Sequence, residues 1–76
     1  MNNTRRASLR LIQDQIEELK NSLEELLDEE QEYYDNMPEG LQCSERGERA
    51  EEAISALEEA ISSLEEAVDS IDTATE

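Results

Sequence analysis

The chain contains no histidine, tryptophan or phenylalanine, and only one cysteine, one proline and two glycines in 76 residues. Each shortage closes off a class of protein. Without histidine, and with Cys43 alone, neither the common zinc ligand sets nor an intrachain disulfide can be assembled. A lone thiol with no imidazole or flanking basic pair to hold it as a thiolate reads as an ordinary, unreactive cysteine, and it fits a reducing compartment. The scarcity of aromatics, glycine and proline argues against a sheet and for helix. No apolar run is long enough to span a membrane or to form the core of a signal peptide, so the expectation is a cytoplasmic protein with no membrane partner. Basic residues are few as well, 6 against 22 acidic ones, for a formal net charge of -16. That excess predicts repulsion from nucleic acid and anionic lipid, and attraction to basic proteins.

What is present is a heptad pattern. From Glu51 to Ile71 the chain reads EEAISAL, EEAISSL and EEAVDSI, three copies of one unit end to end. Setting Ile54, Ile61 and Val68 at position a puts Leu57, Leu64 and Ile71 at position d, the spacing that shows one apolar seam to a partner helix. A second seam runs through Leu9, Ile12, Ile16, Leu19, Leu23 and Leu26; Glu30 interrupts it, and Tyr33 and Met37 resume it. The pattern predicts one domain over residues 1–76, with a first helix over about 5–35, capped by Asn3 or Thr4, a turn at 36–44, and a second helix over about 45–72 capped by Ser44. Pro38 disfavours a helical Met37, and Gly40 is expected to take a positive φ in the turn.

A short connection makes two long helices antiparallel neighbours, and the register follows by pairing core positions outward from the turn. Leu26 then faces Leu57, Leu19 faces Leu64 and Ile12 faces Ile71, while Tyr33 meets Ala50 and Met37 meets Gly47. Gly47 inside a helix costs about 1 kcal/mol relative to alanine, so close approach of the other helix is its expected reason. The same register sets Lys20 across from Glu65, and Arg5, Arg6 and Arg10 beside Asp69, Asp72 and Glu76. Beside this seam, Ala53, Ala60 and Ala67 form a line of small residues and Leu27 widens the apolar face of the first helix. These four mark an oligomer face on which two hairpins dock as a homodimer, giving a four-helix bundle.

No cluster spells out a reaction: two carboxylates need a cleft to do glycoside chemistry, and a two-helix hairpin offers none, so no enzymatic activity and no cofactor are expected. LDEEQEYYDN lacks the alternating acids and central glycine of a calcium loop. Glu30 stands where the seam asks for leucine; it either selects register as a buried carboxylate or turns outward beside the tyrosines. The doublets Glu51-Glu52, Glu58-Glu59 and Glu65-Glu66 make an acidic ladder, which reads either as a solvated helix face or as an imitation of a phosphate backbone. Tyr33, Tyr34, Met37 and Leu41 gather apolar surface at the turn among charges, which reads either as a candidate docking patch for a protein partner or as a small core that closes the loop.

The turn also carries a resemblance. The string EEQEYYDNMPEGLQCSERGERAEEAISALEEAISSLEEAVDSI resembles small acidic proteins carried by bacteria and their phages or prophages, which share a D-N-x-P-E-x-L-Q turn, an S-E-R and an E-E-A-I heptad helix. The string itself runs from Glu29 to Ile71, and the resemblance extends over about residues 17–71. Gly40 stands where such proteins typically have asparagine. The resemblance implies a helical hairpin and points to carriage on a mobile element, and it supplies no activity. Three functions fit these residues: an interaction or adaptor module, an acidic decoy occupying the nucleic-acid groove of another protein, and a self-associating spacer.

Overall fold

The computed structural model describes residues 1–76 and contains helix only: α1 Asn3–Asp35, α2 Glu39–Gln42 and α3 Glu45–Ala74. α1 and α3 lie side by side as an antiparallel pair in a rod 58 Å long and about 15 Å across. No helix is long and apolar enough to cross a membrane.

α1 begins two residues before the expected start near residue 5, so that Asn3 and Thr4, the expected caps, lie inside it. Its cap is Asn2, whose side-chain oxygen accepts the Arg5 amide at 2.8 Å and satisfies one of the orphan donors of the first turn. α3 begins where the sequence indicates, after Ser44 in extended backbone, yet the serine hydroxyl donates to the Leu41 carbonyl instead of accepting an α3 amide.

α3 presents its heptad seam to α1 as expected: Ile54 and Ile61 are buried, and Leu57, Leu64, Val68 and Ile71 are half-buried. α1 is rolled relative to its expected register. Leu9, Ile16 and Leu23 are half-buried, and the line that accompanies them is Gln13, Lys20, Leu27 and Tyr34. Ile12, Leu19 and Leu26, expected opposite Ile71, Leu64 and Leu57, are 45%, 62% and 53% exposed. The physical reason is polar. Rolled this way, Gln13 donates to Asp72 at 2.6 Å and to the Val68 carbonyl at 3.1 Å, Lys20 meets Glu65 at 3.7 Å, and Tyr34 donates to Glu51. Lys20 therefore finds its expected partner. The arginines of the first turns do not: Asp72 is engaged by Gln13, Arg6 bonds Asn3 at 3.2 Å, and Lys20 with Glu65 is the one ion pair joining the helices.

The turn differs from its expectation at both glycines. Residues 38–42 close a single helical turn, with Leu41 and Gln42 amides bonding the Pro38 carbonyl at 2.9 and 3.1 Å. Gly40 lies inside this turn and does not take a positive φ. Gly47 does serve a close approach, but the approaching atoms belong to α2 and not to α1: a β-carbon there would sit 2.1 Å from the Gln42 carbonyl oxygen. Gln42 also reaches back with its side-chain amide to the Tyr34 carbonyl at 3.0 Å, capping the end of α1 while its backbone presses on α3. One residue thus joins all three helices.

The two glycines should respond oppositely to alanine. Gly47→Ala forces backbone apart and should destabilise by about 1–3 kcal/mol, as overpacking does. Gly40→Ala meets nothing within 4 Å and should stabilise by about 0.4–1 kcal/mol through the unfolded chain. Urea unfolding of the two variants checks both signs.

Candidate interaction site

The rod has two unlike sides. On one, the contacts of Gln13 with Asp72, Lys20 with Glu65 and Tyr34 with Glu51 join residues spaced by sevens along each helix, so polar pairs close that flank along most of its length. Exposed pairs of this kind contribute about 0–1 kcal/mol each and act mainly on orientation.

The opposite side is open. Ile12, Leu19, Leu26 and Tyr33 lie on it as one line down α1, each at least 45% exposed. Its α3 half is marked by a groove of about 400 Å³ near the turn, lined by Glu30, Tyr33, Glu45, Arg46, Arg49 and Ala50. Arg46 is seven residues before Ala53, so the line Ala53, Ala60 and Ala67 continues from this groove along the same side, half-buried at each position. Antiparallel heptad geometry requires this arrangement, because flanking positions of like kind face each other across the seam. The open side therefore pairs bulky apolar residues on α1 with small ones on α3.

The remaining predicted residues fall as follows. Leu27 is half-buried on the seam side of α1, one position from the open line. Met37 is buried in the turn, Tyr34 is directed to Glu51, and Tyr33 and Leu41 stay exposed at 48% and 42%. Met37 thus closes the turn, and the accessible apolar surface there comes from Tyr33 and Leu41. Glu30 is half-buried at the groove.

The six ladder glutamates are exposed. At 1.5 Å per residue, two per heptad give one charge per about 5 Å, against about 1.7 Å for duplex DNA. Glu51 and Glu65 are also engaged by Tyr34 and Lys20. Cys43 is exposed. No three acids or thiols converge closely enough to hold a metal ion.

Sequence reasoning missed Gln13, Gln42, Arg46 and Arg49. Arg46 was legible, standing one heptad before the alanine line; Gln13 was hidden because polar residues are not sought at seam positions. The fold and this side together define a class, an all-helical antiparallel pair with one polar-bonded flank and one open apolar flank. No protein-family model, curated protein or solved structure matches the chain.

The hydrogen bond to Glu51 holds the Tyr34 proton, and desolvation and the glutamate's charge act the same way, raising the phenol above its ordinary value near 10. A raised folded pKa means that the contribution to stability is complete below pH about 10 and is lost as pH climbs through the folded value. In Tyr33→Phe, where Tyr34 is the one phenol left, ultraviolet titration should give a midpoint above 10. Adding Glu51→Ala should bring it down toward 10; an unmoved midpoint would remove Glu51 as the cause.

Proposed function

We propose that the protein is a non-enzymatic interaction module, an adaptor that works as two hairpins closed into a four-helix bundle and docks another protein at its turn end. The observation that carries this is the open line of Ile12, Leu19, Leu26 and Tyr33. A lone hairpin with six buried residues out of 76 has almost no core, and chains this short ordinarily gain one through oligomerisation, metal or disulfides. An intrachain disulfide and the common zinc ligand sets are unavailable to a chain with one cysteine and no histidine, and its acids do not converge on a metal site. A second copy laid on the open side covers Ile12, Leu19 and Leu26 at once and supplies the missing core, and it leaves Tyr33 at the turn end of the line.

The docking patch is Tyr33 with Leu41, exposed beside the Arg46 and Arg49 groove and set in an otherwise acidic surface. A basic protein with an apolar patch suits it, since net charge accelerates encounter and the apolar contacts hold the complex. An exposed Cys43 fits work in the reducing cytoplasm. The resemblance to phage and prophage proteins is compatible with an adaptor carried on a mobile element.

Light scattering during size exclusion should give a dimer at micromolar concentration. Burying one leucine side chain contributes about 1.5–3 kcal/mol, and each dimer buries two copies of Leu19 and Leu26. Leu19→Glu with Leu26→Glu should therefore raise the dimer Kd at least about 100-fold. A wild-type monomer at that concentration would refute the pairing. For docking, capture from the protein's own host should yield a partner that survives a high-salt wash and is lost in Tyr33→Ala with Leu41→Ala. A nucleic-acid-binding partner that washes off in salt, and is lost when the Glu58-Glu59 and Glu65-Glu66 doublets become glutamine, would replace the adaptor with an acidic decoy.

A further inference from the structure

Resting on the paired-hairpin reading above, we infer that the second copy lies across the open side with its turn at the same end, so that α1 of each copy packs on α3 of the other. Two hairpins can close face to face in two symmetric ways. A two-fold axis along the rod sets α1 against the second copy's α3 and brings the turns together. A two-fold axis across the rod sets α1 against α1 and α3 against α3, and sends the turns to opposite ends.

Side-chain size separates the two. Along the stretch that the second copy covers, the α1 half of the open side repeats bulky residues every seven, Ile12, Leu19 and Leu26, and the α3 half repeats Ala53, Ala60 and Ala67 at the same interval. With the turns together, every large residue meets a small one and both contacts of the bundle take similar spacing. With the turns apart, leucine meets leucine on one side and alanine meets alanine on the other. Interaxial distance follows the side chains at the contact, so that bundle would be wedged.

The observed contacts of Gln13 with Asp72, Lys20 with Glu65 and Tyr34 with Glu51 fix which residues are level. With the turns together, they bring Leu19 within about one residue's rise, roughly 1.5 Å, of the level of Ala67 in the second copy, and Leu26 equally near the level of Ala60.

The consequence is a rod with one functional end. Two copies of Tyr33 and Leu41 stand side by side there, framed by four arginines, so one partner can touch both.

Cys43 is exposed, is the chain's one thiol and sits in the turn, so a spin label on it reports the arrangement in the wild-type protein. Helices pack 8–10 Å apart, and with the turns together the two labels should lie within about 30 Å by dipolar spectroscopy. A dimer by light scattering whose labels lie near the 58 Å length of the rod would overturn this orientation and leave the pairing intact. A monomer would overturn both.

Discussion

The apolar seam between α1 and α3, with Leu9, Ile16 and Leu23 on one helix and Ile54, Leu57, Ile61, Leu64, Val68 and Ile71 on the other, is the constraint on which everything else depends. It is narrow, with two buried isoleucines for helices of 33 and 30 residues. A seam that thin leaves each helix free to roll, and the polar groups beside it set the angle. Gln13, Lys20 and Tyr34 find Asp72, Glu65 and Glu51 only when α1 turns its second apolar line outward. Weak surface interactions thereby choose between two nearly equivalent apolar faces. The open side is the residue of that choice.

The turn shows the same economy of parts. Gln42 caps α1 with its side chain, closes α2 with its backbone and occupies the space that Gly47 leaves on α3. Met37 is buried beneath. A hinge built this way holds the two long helices in one register at the turn end, where the first contacts of the hairpin must form with little loop to close. It also leaves Tyr33 and Leu41 outside, since the interior of so small a turn is already filled.

The surface these constraints leave is acidic along most of the rod and apolar along one open side. The chain's carboxylates are spread along helices without a cleft to concentrate them, whereas four of its seven exposed large apolar residues, Ile12, Leu19, Leu26 and Tyr33, are ordered into one line with a groove at one end. An ordered apolar line on a thin rod is a surface that another helix can complete.

The sequence by itself determined that the chain is helical, that two long helices meet antiparallel through a turn at Pro38, and that α3 shows Ile54, Leu57, Ile61 and Leu64 to its neighbour. Those features rest on local propensity and on a seven-residue period, which are properties of consecutive residues. Only the tertiary structure decided which of two overlapping stripes on α1 faces inward, because Leu9, Ile16 and Leu23 belong equally to the stripe with Ile12 and the stripe with Gln13. Hydrogen bonds to residues more than fifty positions away broke that tie. The turn went the same way: the glycines were visible, but whether Gly40 would be left-handed or helical, and which backbone Gly47 admits, depended on where α2 packs. Periodicity says that a face exists; the partner across it says which face it is.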